Sequence, residues 1–471
     1  MKVANKEAQG TTSGSNNLIP IAVAAGDAPE IMSATLRVLV AAGAPLDFRQ
    51  VTMGRDIFLA GTSSGIAEDS WAVLRECRAL LKAPCSTPDE HGFKNLDVTL
   101  RKSLALFASV IPIRDYTLHG QIDVVVIREN EEDLYAGVEH RQTNDVAQCL
   151  KLITRSGCER VVRYAFEFAV ANGRKCVTCL TKDNLMRQTD GLFLQVFEEI
   201  GNRYPHIQRQ HLRVDEGLNL AATKPQELDV VVTPNMYGDL IANLLAAVTG
   251  TQSYVPSANF SQRFGCFEPL CDRSSTEDRE NPAALLLSAC MMLDYLQVSE
   301  VAERIRNAVL AAIEDGVIGG SMTAGEQAAA VVARLDKKPQ HLEPYAETLA
   351  VQIPEIPGAG GPQQTKKLVG VDVFVEWHDT PEPLGDILVA CQGDKLQLKM
   401  ITNRGLRVWP QRHPETRLVD HWRCRFEGTN VDKQDLIDLL QRIKDKGIDF
   451  IKTEQLCLFD GKPGYTLGQG Q

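Results

Sequence analysis

Along the chain, short unbroken apolar runs alternate with longer stretches whose apolar residues return every three or four positions. The first pattern marks buried strands and the second marks helices with one face in a core. Leu18 to Ala24 predicts a first strand. Ile31 to Ala42 predicts the helix after it, with Pro29 suited to the first helical turn. Ile122 to Ile127, Arg174 to Leu180 and Leu228 to Thr233 read as further buried strands. Helices are predicted over Asp69 to Lys82, from Asn95 to about Ser109, over Cys158 to Asn172 and over Gly191 to Arg203. Another opens at Asp239, and two long core helices cover Pro282 to Leu296 and Ser299 to Asp315. Strands alternating with helices imply an α/β fold with a sheet covered on both faces.

The pattern breaks in two places. The first seventeen residues are polar, rich in Gly, Ser, Asn and Thr and free of arginine, so 1–17 reads as a disordered tail and not a targeting peptide. Residues 341–365, with PEIPGAGGPQQT, read as a linker that separates 18–340 from 366–471. After the linker the pattern is strand (Leu368 to Trp377), helix (Pro381 to Cys391), strand (Leu396 to Thr402), strand (Leu418 to Glu427), helix (Asp432 to Lys446) and strand (Phe450 to Leu458). That βαββαβ order predicts a ferredoxin-like C-terminal domain, whose simplest role is oligomer packing.

Composition narrows the function. A formal net charge of −11 argues against a nucleic-acid surface. No apolar run reaches membrane-spanning length. Twelve cysteines are scattered, and the one CxxC, Cys176 and Cys179, lies in a predicted strand with no second pair at zinc spacing. They read as reduced core thiols, which fits a cytoplasmic protein.

The chemistry concentrates in Arg128 to His140, RENEEDLYAGVEH, which leaves the end of a predicted strand. Ligands of open α/β sheets bind at that edge. An arginine there suits a carboxylate, and the Tyr135 phenol suits a proton donor. Further on come TKDNLMR (Thr181 to Arg187) and NMYGDLIANL (Asn235 to Leu244). In this order the three motifs resemble the isocitrate dehydrogenase family, the metal-dependent β-decarboxylating hydroxyacid dehydrogenases, over roughly residues 18–350. The tail from about residue 365 resembles the extra C-terminal domain of some bacterial members. The resemblance implies an isocitrate/isopropylmalate dehydrogenase-like two-domain α/β fold and an intertwined dimer. It also implies oxidative decarboxylation of isocitrate, a tricarboxylate, to 2-oxoglutarate with Mg²⁺ or Mn²⁺ and with NADP or NAD.

Carried over by motif, Arg101 and Arg128 are carboxylate-binding arginines, Tyr135 is the proton donor and Lys182 assists proton removal. Asn95 and Asp97 stand where the family contacts the distal carboxylate. Asp215, Asp239 and Asn243 stand at the metal-binding positions, with Asn243 one helical turn past Asp239 and expected to point inward. Thr87 and Asn281 stand at cofactor positions. The departures are as informative. A family arginine falls at Ile111, Asp97 would set an anion against an anionic substrate, and asparagine replaces a metal carboxylate at 243. The Gly-rich turn is shortened around Gly26, Asp27, Pro29 and Glu30. The cofactor loop, Cys271 to Asn281, is shorter and acidic, with cysteine and aspartate at its His-Gly positions. Three readings stay open: a working isocitrate dehydrogenase; a non-catalytic or regulatory subunit paired with a competent paralogue; and, ranked last because a lost arginine counts against any carboxylate substrate, a dehydrogenase of a different hydroxyacid. In the family the matching lysine and one aspartate reach into the partner's site, so the second reading would explain their retention.

Overall fold

The computed structural model describes residues 18–87, 95–116, 122–270, 281–319, 322–349 and 363–467. The tail 1–17 and the cofactor loop 271–280 lie outside them. The chain divides into two units. One holds Met1–Glu131, Arg160–Leu180 and Glu199–Pro354, the other Glu132–Glu159, Thr181–Glu198 and Glu355–Gln471.

In chain order the first strands are β1 Ile19–Ala24, β2 Leu46–Gln50, β3 Ala79–Lys82, β4 Ala108–Arg114 and β5 Asp123–Glu129. A small antiparallel hairpin follows, β6 Glu139–Arg141 with β7 Ala147–Cys149. Next come β8 Cys176–Thr181, β9 Gln208–Arg213, β10 Val230–Thr233, β11 Pro256–Phe260 and β12 Gly265–Pro269. Ten of these form one mixed sheet in the order β2-β1-β3-β12-β11-β4-β5-β10-β8-β9. Within it β4 and β11 run antiparallel to their neighbours, while β2-β1-β3-β12 and β5-β10-β8 pair in parallel.

Two predicted helices end early. The one expected over Asp69 to Lys82 spans Glu68–Glu76, and its supposed last turn is strand β3, whose four residues are all buried between β1 and β12. The other spans Leu96–Ser103, after which Ala105 turns at φ 52° and the apolar run that follows is β4. Both errors come from short apolar runs, which period alone does not assign. The helix expected to open at Asp239 begins at Asn235, after Pro234. Helix Ala283–Tyr295 is apolar all round and buried at every residue but Asp294, as such a helix must be.

Residues 341–349, inside the expected linker, form no helix or strand yet pack within the first unit. Glu314 accepts the backbone N–H groups of Gln340 and His341 at 2.7 Å each. Arg114 pairs with Glu347 at 2.5 Å and lies 3.3 Å from the centre of the Tyr345 ring.

The C-terminal domain has β13 Lys366–Glu376, β14 Leu396–Asn403, β15 Leu406–Trp409, β16 His421–Gly428, β17 Phe450–Phe459 and β18 Lys462–Pro463, in the order β15-β14-β16-β13-β17-β18. Without β15 and β18, the four long antiparallel strands take the ferredoxin-like order second-third-first-fourth. Val371, Val373 and Val375 alternate into a core shared with Trp422, Cys424 and Phe426, and with Leu388 and Leu439 of helices Pro381–Ala390 and Lys433–Asp445. Among the described residues no helix is long and apolar enough to cross a membrane. The eleven described cysteines are all free thiols.

Candidate functional site

In the first unit the site is built around Arg128, near the carboxyl end of β5. The residue is only 5% exposed. Its Nε donates to Asn235 Oδ1 at 2.9 Å and its Nη1 to Asp239 Oδ1 at 2.7 Å. Strand β10 carries the chain to Pro234, and the helix Asn235–Val248 then starts beside β5, so Asn235 and Asp239 meet the guanidinium one turn apart. Gly238 makes this possible. A Cβ there would lie 2.6 Å from Arg128 Cγ and 2.7 Å from its Cβ, inside any van der Waals contact. The glycine of the MYGD run is thus the space Arg128 occupies.

A second cluster gathers on Glu268 of β12. Lys82, fully buried at the end of β3, sits 2.6 Å from Glu268 Oε2 and 3.1 Å from Asp97 Oδ1. Arg101 Nη2 reaches Glu268 Oε1 at 3.0 Å, and Asn259 Nδ2 donates to the same oxygen at 2.8 Å. Two cations face two anions, so the cluster is close to neutral. This changes the expectation for Asp97. It is a buried partner of Lys82 instead of an isolated anion aimed at substrate, because a buried carboxylate needs such a partner. Asn95 caps helix Leu96–Ser103, accepting Val98 N–H at 3.1 Å. Lys82, Asn259 and Glu268 were not singled out from sequence. The available signal was a lysine closing an otherwise apolar strand, ALLK, where a cation must find an acid.

Ile111 lies in an apolar core with Ile113, Val126, Ile241 and Leu245. The isoleucine therefore packs as an ordinary core residue, and no polar pocket surrounds it.

At the metal positions, Asp239 is about one-third exposed and shares Oδ1 with Arg128. Asn243 is exposed, and its Nδ2 turns back to Asp239, 2.9 Å from the backbone oxygen and 3.4 Å from Oδ1. The expectation that it points inward is corrected: the buried face of this helix is Tyr237, Gly238, Ile241, Ala242 and Leu245. Asp215 is exposed on the first turn of helix Val214–Thr223. Carboxylate and amide oxygens open to solvent are the donor chemistry that a hard, oxygen-seeking divalent ion takes, and of these residues the contacts join Asn243 to Asp239. Among the described residues, the one cluster of three His, Cys, Asp or Glu side chains close enough to share an ion is elsewhere, at Glu376, His378 and Asp420 of the C-terminal domain.

The shortened first turn packs on the segment that follows β3. Gly26 takes φ +52°, and a Cβ there would meet Pro84 O at 2.3 Å and Cys85 Sγ at 2.4 Å. Asp27 N–H donates to Pro84 O at 2.9 Å. Burial pushes the Cys85 thiol up to about 12, so it stays neutral and is no nucleophile. Thr87 Oγ1 accepts Leu96 N–H at 2.9 Å. Asn281 is 8% exposed; its Oδ1 accepts Ala283 N–H at 2.9 Å, while its buried Nδ2 has no hydrogen-bond partner among the described residues. A buried amide donor without a partner fits a ligand acceptor such as an adenine nitrogen. The altered loop that precedes Asn281 lies outside the described residues.

The second unit carries the proton-transfer candidates. Tyr135 is half-buried on the 3₁₀ turn Leu134–Ala136, which ends on Gly137 in the left-handed region. Lys182 is half-buried immediately after β8, and its backbone N–H donates to Asp190 Oδ2 at 2.7 Å. Asp190 in turn pairs with Lys151, which also faces Asp133. Sequence reasoning missed these three; the acidic run after Arg128 was the only hint of Asp133.

Residues 19–332 match the family described as isocitrate/isopropylmalate dehydrogenase, and residues 366–471 match the C-terminal domain of bacterial isocitrate dehydrogenase. The isocitrate dehydrogenase (NADP) of Rickettsia prowazekii is 39% identical over 478 residues, covering 96% of this chain and 99% of its own. Isocitrate dehydrogenase (NAD) regulatory subunit 1, mitochondrial, of Arabidopsis thaliana is 37% identical over 327 residues, 66% of this chain and 88% of its own. A crystal structure of a Thermus thermophilus protein superposes with a TM-score of 0.87 at 37% identity, covering 98% of both chains.

Proposed function

The chain belongs to the isocitrate/isopropylmalate dehydrogenase family, and from that premise we propose that it oxidises isocitrate and decarboxylates it to 2-oxoglutarate with NADP. The observation that carries the reading is the 2.7 Å contact of Arg128 with Asp239, which joins a carboxylate-binding cation to a metal-binding acid. A hydroxyacid chelating an ion through its hydroxyl and one carboxylate needs such a pair side by side.

Arg128 and Arg101 hold substrate carboxylates; each guanidinium has five donors and can share its fork between a protein acid and a ligand. When bound, a divalent ion held by Asp239, Asp215 and Asn243 supplies Lewis-acid polarisation, and NADP supplies the hydride acceptor. Lys182 assists removal of the hydroxyl proton, and Tyr135 returns a proton to carbon after carbon dioxide leaves. Asn281, with its unpartnered Nδ2, meets the adenine. The protein works as a cytoplasmic dimer, for which exposed Leu240 and Val248 on one helix supply apolar contact area.

Reduced-nicotinamide absorbance tests this with isocitrate, Mg²⁺ or Mn²⁺, and NADP or NAD in separate assays. The expected result is turnover with NADP that EDTA abolishes. A folded protein inert with both cofactors would overturn the proposal. It would favour a regulatory or non-catalytic subunit, the second reading, which the loss of a metal carboxylate at Asn243 and the likeness to the Arabidopsis thaliana regulatory subunit support.

A further inference from the structure

We propose that Lys151 is a positioning residue that holds the turns of Tyr135 and Lys182 in one frame; the inference deepens the reading above and takes the roles of those two side chains from it. All the contacts lie within the second unit. Lys151 Nζ stands 2.6 Å from Asp190 Oδ1 and 3.4 Å from Asp133 Oδ1. Both aspartates are fully buried, and the lysine side chain is 11% exposed. Two carboxylates taken out of water need a cation between them.

Each aspartate controls one turn. Asp190 uses its other oxygen to accept the Lys182 N–H at 2.7 Å, which fixes the backbone from which the Lys182 side chain leaves. Asp133 precedes Tyr135 by two residues. Its N–H donates to Leu152 O at 2.8 Å, next to Lys151, and its own carbonyl accepts Ala136 N–H at 3.2 Å, closing the tyrosine turn. Asp133 also adopts φ 66° and ψ −151°, a backbone region essentially reserved for glycine. Such a conformation persists only where its surroundings over-determine it, and it concentrates at functional sites. The buried pair with Lys151 and the bridge to Leu152 are those surroundings.

The consequence is geometric. Tyr135 and Lys182 ride on turns, which supply less orientation than a helix or strand. Proton transfer tolerates little error, and a misplacement of about 1 Å costs on the order of a hundredfold in rate. One lysine joined to both turns lets neither drift alone.

Hydrogen exchange by mass spectrometry and steady-state kinetics test this on the full chain. Lys151→Met should speed exchange in peptides covering both 132–137 and 181–190 by about tenfold or more, while β13 of the C-terminal domain keeps wild-type protection. Lys151→Met leaves two buried carboxylates without their cation and can fail to fold, so Asp133→Asn is the second variant. It keeps the Lys151–Asp190 pair and replaces the Asp133 carboxylate with a neutral amide of the same size. Asp133→Asn should loosen 132–137, lower kcat by about tenfold or more with KM for isocitrate within about twofold, and displace the pH profile of kcat. Lys151→Arg should restore most of the protection. Wild-type exchange in both segments, loosening in Lys151→Met of one segment only, or an unchanged kcat in a loosened Asp133→Asn variant would each overturn the assignment. If wild-type protein turns over no isocitrate, the catalytic reading falls, and the exchange arm still decides whether Lys151 holds the frame.

Discussion

Replacing Gly238 by alanine sets two physical effects against each other with opposite signs. Gly238 lies within the helix Asn235–Val248, where alanine has the higher intrinsic propensity by about 1 kcal/mol. On propensity alone Gly238→Ala stabilises the protein. The added methyl, however, would stand 2.6 Å from Arg128 Cγ and 3.2 Å from its Cδ. The neighbour is the root of the side chain, so no tip rotation relieves the overlap, and Arg128 must withdraw. Withdrawal breaks the 2.9 Å bond to Asn235 and the 2.7 Å bond to Asp239, each worth about 1.5–3 kcal/mol when a charged group takes part. Subtracting the propensity gain leaves a net loss of about 2–5 kcal/mol. Urea unfolding read through the denaturation midpoint, with the slope compared between the two proteins, measures it. A midpoint equal to or above that of the wild type would refute the claim that this glycine exists to admit Arg128.

Other consequences follow from the same geometry. Lys82→Met strips the cation from buried Asp97 and from one oxygen of Glu268, and should cost about 3–5 kcal/mol in urea unfolding; adding Asp97→Asn should recover part of that loss. Glu314 is held below its ordinary value of 4.5: burial raises it, but the backbone N–H groups of Leu342, Gln340 and His341 lower it further. Its contribution is therefore fully present above about pH 4.5 and is lost as pH falls through the lowered folded value. Proteolysis of 340–349 should appear on acidification, and Glu314→Gln should expose the same segment at neutral pH.

The C-terminal domain was almost wholly legible in the sequence, and the first unit less so. In the C-terminal domain, period-two strands such as Val371, Val373 and Val375 alternate with period-3.6 helices, and each period agrees with the final structure. Strand β15 escaped because Arg404 and Gly405 make a tight positive-φ turn inside what reads as a polar loop. In the first unit β3 and β4 are buried on both sides and lack alternation, so ALLK and the first residues of ASVIPIR looked like extensions of the helices before them. The candidate residues were legible by type, and their charge pairing was not. Arg128, Tyr135, Lys182 and Asp239 stand out in their motifs. Yet the partner of Asp97 lies fifteen residues upstream, and that of Arg101 is Glu268, far along the chain. No local pattern links such residues, because the sheet order β3-β12-β11-β4 brings them together.

Those pairings also bear on how an acidic protein could bind a tricarboxylate. Taken singly, Arg101 and Arg128 look like two positive charges waiting for substrate. In the structure each is matched by an acid, Glu268 and Asp239, and Lys82 is matched by Asp97. The half-site is close to neutral, and the whole chain is at −11. Long-range steering therefore works against a trianion, and the arginines give it direction more than attraction. The missing attraction has one economical source, a divalent ion on the exposed side of Asp239. With Arg128 already offsetting Asp239, a positive charge of two there would outweigh the remaining acid, Asp215, and leave Arg128 to orient the carboxylate. On the proposed reading the exposed Asn243 would add no negative charge to that position, so an ion there would keep more of its own charge for the substrate and be held less tightly by the protein. On this reasoning the asparagine trades affinity for free metal against attraction for the metal-bound substrate, and ion and substrate favour arriving together.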